Sequence, residues 1–271
     1  MIEDKEKILT VISLGVGVQS SAMALMAAKG ELPMPDCAVF ADTGAEPSSI
    51  YSYLEFLKTE LPFPIYVVQK GNLTEDTMKE GERFASAPFF IKNLDGSKGM
   101  LRRQCTNEYK IQPVRRKVRE LCGVGFGKRF PKGKYVEQWI GISTDEIQRM
   151  KPSRDKYIEN RHPLIELNIS RQQCLQWFKD NNYPLPEKSA CFFCPYKSDD
   201  HWIETRDRTP KEFEQAIAFD KGLRSTSNPR IKGQMFLHRS CTPLDQVEFK
   251  SKKVDNQMDL FDNECEGMCG L

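Results

Sequence analysis

The sequence lacks the marks of several large function classes. Its 271 residues carry 40 Lys and Arg against 38 Asp and Glu, a net charge of +2. That balance gives no polyelectrolyte signature, so any contact with nucleic acid has to come from a local patch. No run approaches the roughly 18 apolar residues that cross a bilayer. The opening MIEDKEK is charged and has no apolar core, so it does not read as a secretory signal. The expectation is a cytoplasmic chain without a membrane partner, in which disulfides are rare. Histidine is scarce: His162, His201 and His238 are scattered. There is no internal repeat and no low-complexity tract. The Walker A ending GK[ST] is absent, and no second C-x-x-C accompanies Cys191 and Cys194, which excludes a complete zinc ribbon.

What is present is an alternation of short apolar runs with helical patterns. Ile8–Gly15, Asp36–Gly44, Phe63–Gln69 and Val136–Ser143 read as strands. A helix runs from Ser20 to a stop at Gly30, another over roughly Pro47–Glu60, and a third over about Asn107–Leu121. Strands alternating with helices predict an α/β fold with a doubly wound parallel sheet, whose ligands bind at the carboxyl ends of the strands. KNLDGSKGMLRRQC, residues 92–105, reads as a mobile loop. After Arg161 the texture turns helical, with one helix capped by Ser170. A second has Thr209 as cap, Pro210 in the first position and Glu212 in the third, a capping-box pattern. The expected division is 1–165 for the sheet domain and 166–271 for a helical, cysteine-bearing region.

Between the first strand and its helix stands GVGVQSS, Gly15–Ser21. A glycine turn into a helix leaves backbone N–H groups at the helix N-terminus, and with the helix dipole these suit phosphate or pyrophosphate. Ser20 and Ser21 add hydroxyls. The competing reading is a plain tight turn. The second strand ends in FADTG, which places Asp42, Thr43 and Gly44 at a carboxyl edge. There they could position a ribose, a metal ion or a base, or simply cap the next helix.

These segments resemble one superfamily. GVGVQSS resembles the pyrophosphate loop of the N-type ATP pyrophosphatases, the PP-loop or adenine nucleotide alpha hydrolase-like proteins. FADTG resembles the DTG of phosphoadenylylsulfate (PAPS) reductase-type members. QCTNEYKIQPV is similar to that group's cysteine–x–lysine–x–proline segment, with Cys105, Lys110 and Pro113 matching. WIGISTDEIQRM resembles its glycine-ended strand followed by an acidic pair and an arginine, and SACFFCPY its late cysteine motif. The matches run in order over roughly residues 8–196. The chain departs at Gly15 for the loop serine, Val16 for a glycine, and Gln19 for the aspartate. Gln19 can hydrogen-bond but carries no charge.

The resemblance implies a Rossmann-like (HUP-type) fold binding ATP with Mg²⁺. It assigns Ser13, Gly15, Gly17, Gln19, Ser20, Ser21, Asp42, Thr43, Gly44, Gly141, Asp145 and Glu146 to the nucleotide. Ser20, Ser21, Asp42, Lys110 and Arg149 would carry the chemistry. The chain holds nine cysteines. Cys191-x-x-Cys194 has ligand-pair spacing, which leaves a [4Fe–4S] cluster, Zn²⁺ or reduced thiols open. The resemblance implies a cluster on Cys105, Cys191 and Cys194, with Cys265 or Cys269 as fourth ligand or an open iron. His201 could complete a zinc site. Cys37, Cys122 and Cys174 read as core.

Arginines and lysines concentrate at 102–119 and 149–161. They suit phosphate or a nucleic-acid backbone, or form solvated helix faces. The implied function is an adenylylating ATP pyrophosphatase acting in sulfur transfer to DNA (phosphorothioation) or tRNA, with a cysteine desulfurase or other sulfur donor. A reductase of adenylylated sulfate and a nucleotide-binding regulatory subunit are the alternatives. Oligomeric state is not legible.

Overall fold

The structure, a computed structural model, describes residues 5–79, 87–125, 127–226 and 231–251. The chain order is β1 (Glu6–Leu14), α1 (Val18–Ala28), β2 (Cys37–Asp42), α2 (Ser48–Glu60), β3 (Ile65–Gln69), α3 (Leu73–Met78), β4 (Phe90–Lys92) and β5 (Lys98–Met100). A π-helical turn, Thr106–Ile111, runs into α4 (Gln112–Leu121) and then β6 (Lys134–Ile140). A 3₁₀ turn, Thr144–Arg149, leads to β7 (Ile158–Arg161), α5 (Pro163–Glu166), α6 (Arg171–Asp180), α7 (Asp199–Arg208), α8 (Pro210–Ser225) and β8 (Gln234–Phe236).

Five strands form a sheet in the order β3-β2-β1-β6-β7, each neighbouring pair parallel. The sheet is covered on both faces, so residues pointing either way are buried toward the carboxyl ends of its central strands, Thr10 and Ser13 included. On one face Ile12, Leu14, Phe40 and Trp139 pack with Met23 and Leu25 of α1, Leu57 of α2 and Phe178 of α6. On the other, Val11, Val39 and Val136 meet Val114 and Val118 of α4. Thus α6 belongs to the sheet's core, and the chain leaves that core only after Phe178.

A second core joins distant stretches. Leu73, Phe89 and Tyr109 pack with Phe193, Trp202, Phe219 and Leu237. Phe193 stacks on Phe219 with ring centroids 4.0 Å apart. This lobe has its own antiparallel sheet, in the order β5-β4-β8. The expected mobile loop at 92–105 is therefore corrected: its first part is the β4–β5 hairpin, turned at Asn93–Ser97 with Asp95 accepting from the Ser97 N–H at 2.9 Å. Strands of three residues are too short to show alternation, so only the Asp95–Gly96 turn signal was there to read.

Ser170 caps α6 through a complete capping box with Gln173. The box expected at Thr209 does not form. The Thr209 hydroxyl donates to the Thr205 carbonyl, closing α7. Glu212 instead accepts from the Ser48 N–H and hydroxyl, each at 3.1 Å, and so caps α2 from the other lobe.

Candidate functional site: a loop at the sheet's switch point and a cysteine pocket

The direction of the sheet reverses between β1 and β6, and the carboxyl ends of those strands carry Gly15 and Gly141. Ser13 stays inside β1, between Val39 and Ile140. Val16 takes φ +57 with its side chain fully buried. A β-branched residue in that region stores about 1–3 kcal/mol of strain, held here by burial in the core. Gly17 starts α1, and no side chain caps the helix N-terminus, so its first N–H groups face the switch point. A Cβ on Gly17 would meet only Ser189 Cβ, at 3.8 Å. Ser20 braces the loop: Oγ accepts from the Gly15 N–H at 3.2 Å and donates to the Gly17 carbonyl at 3.3 Å. Ser21 is fully buried, and its hydroxyl has no partner among the described residues.

Gly141 is required by contact. A Cβ there would lie 2.7 Å from Ser20 N and 2.8 Å from Ser20 Cα, so β6 can end against the first turn of α1 only without a side chain. Beyond it, Gln19 Nε2 donates to Glu146 Oε2 at 3.2 Å and to Ser143 Oγ at 3.5 Å, while Gln19 Oε1 accepts from Arg171 at 3.1 Å. Glu146 is 1% exposed and paired with Arg149. Burial pushes its carboxyl above the usual range, and Arg149 opposes that. Asp145 is exposed and accepts from the Arg171 N–H at 2.7 Å, at the start of α6.

β2 lies alongside β1, so Asp42 reaches the same edge. Its Oδ1 accepts from the Gly44 N–H at 2.8 Å and from the Tyr51 hydroxyl at 2.7 Å. Gly44 has φ +68, and a Cβ on it would lie 2.9 Å from the Asn72 side chain. Burial, then the bond to Asp42, raises the Tyr51 hydroxyl well above its ordinary value. Thr43 faces the second lobe. Its hydroxyl donates to Glu46 Oε1 at 3.2 Å and lies 3.6 Å from Cys191 Sγ. The Glu46 side chain is fully buried and pairs with Lys110 at 3.1 Å, while its Oε2 has no partner among the described residues.

Cys105, Cys191 and Cys194 line one pocket with Thr43, Lys110, Arg103 and Tyr196. Two halves of the chain therefore bring the three predicted cysteines together, with two cations beside them. Among the described residues no three His, Cys, Asp or Glu side chains converge on a single ion position. Cys265 and Cys269 lie outside the described residues. Cys37 and Cys174 are core, their thiols pushed up to about 12 by burial. Cys122 ends α4, and Cys241 is buried. His201 is not among the residues lining the pocket. Burial, with Lys197 and Lys188, drives its imidazole down to about 2.

Part of the basic stretch is committed within the fold. Arg115 pairs with Asp155, Arg161 with Glu166, and Arg119 lies over the Tyr157 ring at 5.5 Å. Arg102, Arg116, Lys151, Arg154 and Lys156 are exposed. The sequence reading missed Glu46, Tyr51 and Arg171. Nothing local marks them, since each acquires its role from a partner elsewhere in the chain.

The sheet order and the glycine loop at its switch point define a Rossmann-like α/β protein. No family model matches the chain. Among curated proteins it is similar to the threonine–tRNA ligase of Streptococcus agalactiae, 26% identical over 113 residues. That stretch is 41% of this chain and 17% of the ligase, so the chain spans about a sixth of that relative's length. Among solved structures it is similar to the PAPS reductase of Candida auris in its phosphate complex. The TM-score is 0.45 and the identity 16%, over 66% of this chain and 76% of that one. It is also similar to the U34-tRNA thiolase NcsA of Methanococcus maripaludis with its [4Fe-4S] cluster. There the TM-score is 0.38 and the identity 13%, over 98% and 80% of the two chains. No helix among the described residues is long and apolar enough to cross a membrane.

Proposed function

We propose that the chain is a PAPS reductase-like, PP-loop enzyme that cleaves ATP between the α- and β-phosphates, adenylylates an acceptor, and supports sulfur transfer to it. The observation that carries this reading is the juxtaposition at one sheet edge. An uncapped α1 N-terminus lies beside the Asp42 strand, and Thr43, the next residue, touches Cys191. The residues fit a nucleotide. Gly17 leaves room above the loop, and the α1 N–H groups would hold pyrophosphate as it departs. Asp42, braced by Tyr51, would orient ribose or Mg²⁺. Arg149 and Arg171 would offset phosphate charge. In the first step an acceptor oxygen bonds to the α-phosphorus and the bond to pyrophosphate breaks. Sulfur then displaces AMP.

The three cysteines of the pocket, with the C-x-x-C pair among them, support a [4Fe–4S] cluster, with zinc as the alternative. A cluster spreads its thiolates over separate corners, as three thiols on one pocket wall allow. Lys110 and Arg103 would balance its negative charge, and Cys265 or Cys269 would supply the fourth ligand. Such a cluster supplies an iron site for sulfide or a redox centre. Exposed Arg102, Arg116, Arg154 and Lys156 support tRNA or DNA as acceptor, with a cysteine desulfurase as sulfur donor.

The deciding experiment uses anaerobically purified protein. Iron and acid-labile sulfide are measured per chain, and pyrophosphate release from ATP is assayed with and without tRNA or duplex DNA. Four iron and four sulfide, lost in Cys191→Ala, with pyrophosphate release stimulated by one nucleic acid, is the expected result. Sulfite release from adenylylated sulfate would favour the reductase. ATP binding without pyrophosphate would favour a regulatory subunit.

A further inference from the structure

Gln19 is the one side chain of the loop helix that bonds both the 3₁₀ turn after β6 and the start of α6. Its amide works in two directions at once. Nε2 donates to the buried Glu146 carboxylate at 3.2 Å, and Oε1 accepts from the Arg171 guanidinium at 3.1 Å. Arg149 holds the other oxygen of Glu146. The result is a chain of four groups, Arg171–Gln19–Glu146–Arg149, with two cations around one buried anion. Asp145 stands outside it, exposed and engaged with the α6 backbone. Asp145 acts electrostatically on Arg171 as well, so two cations face two carboxylates beside an uncapped helix N-terminus.

We infer that Gln19 is a positioning residue whose neutral amide, donating to Glu146 and accepting from Arg171, is obligatory at 19. This rests on the nucleotide-binding reading of the site. A carboxylate at 19 could accept from Arg171 but could not donate to Glu146. It would set two anions about 3 Å apart where burial leaves little water to separate them. A glutamate at 19, the isosteric carboxylate, is therefore damaging here.

The test is a charge exchange, read by ATP affinity in titration calorimetry with MgATP and by the melting temperature. Gln19→Glu alone weakens MgATP binding by about tenfold or more and lowers the melting temperature. Glu146→Gln alone also weakens binding. The double variant Gln19→Glu/Glu146→Gln exchanges the anion and the amide isosterically, and recovers both readouts to near wild type. A structural role for Gln19 alone predicts additive losses instead. If the wild type binds MgATP and the double variant is no better than Gln19→Glu, the exchange is overturned and the nucleotide reading stands. If the wild type does not bind MgATP, both are overturned.

Discussion

Gly141→Ala tests whether the loop is built by contact between β6 and α1. The added Cβ would lie 2.7 Å from Ser20 N, 2.8 Å from Ser20 Cα and 3.1 Å from the Gln19 carbonyl carbon. All three are backbone atoms of the first turn of α1, so no side-chain rotation relieves them. To reach ordinary contact, α1 or the end of β6 has to move by about 0.7 Å, in a packed interior. Overpacking of this kind costs about 1–3 kcal/mol, and a rigid backbone neighbour puts it at the upper end. For a chain of this size that is a fall in melting temperature of about 2–4 °C per kcal/mol. The same displacement moves the α1 N–H groups, so MgATP affinity falls too. Gly17→Ala is the control: its Cβ has only Ser189 nearby, at 3.8 Å. It should leave stability within about 0.5 kcal/mol while weakening MgATP binding, because the backbone can no longer approach a phosphate. Differential scanning calorimetry and titration calorimetry read the two effects. A Gly141→Ala protein that melts within about 1 °C of wild type would refute the contact argument.

Lys110→Met strands the Glu46 carboxylate in the interior and should cost about 3–5 kcal/mol in urea unfolding, with most of it returned in Lys110→Met/Glu46→Gln. Asp220→Ala removes one acceptor for two buried backbone N–H groups, those of Leu237 and Leu244 at 2.9 and 3.0 Å, and the partner of Arg224. A loss of about 3 kcal/mol or more is expected, with hydrogen exchange rising first in the second lobe. His201 has a folded pKa depressed to about 2 by burial and by Lys197 and Lys188. Its unfolded form takes up a proton below about 6.5, so its contribution is intact above that pH. It is lost as pH falls from there toward 2, by about 1.4 kcal/mol per unit. His201→Gln should flatten that limb in unfolding measured from pH 7 to 4.

The sheet was legible because it is buried on both faces. β1 and β2 appear as mostly apolar runs, and FADTG and GVGVQSS fall at their carboxyl ends as the sequence predicts. The three-residue strands β4, β5 and β8 carry too few positions for a period, and the helix N-terminal pattern at Thr209 was outbid by a carbonyl of the helix before it. The site's wiring was less visible still. Gln19 and Glu146 are 127 residues apart in the chain, and Thr43 and Cys191 are 148. Short motifs mark such residues as polar and placed near a strand end. Only the folded chain shows that Ser20 turns inward onto its own loop and that Glu46 stands behind both Thr43 and Lys110.

The small antiparallel sheet has a bearing on how the protein comes into being. β4 pairs on one side with β5 and on the other with β8, so Phe90 meets Met100 early and Phe236 only late. During synthesis the parallel sheet is complete once β7 has emerged, while the strand beside it still waits for its outer partner. Long-range pairings of this kind form slowly and leave surfaces open in the interval. Cys105 spends that interval apart from Cys191 and Cys194, which arrive with the last third of the chain. The thiols thus line one pocket only in a finished molecule, and a chain cut short after β7 carries the glycine-serine loop without the cysteine pocket.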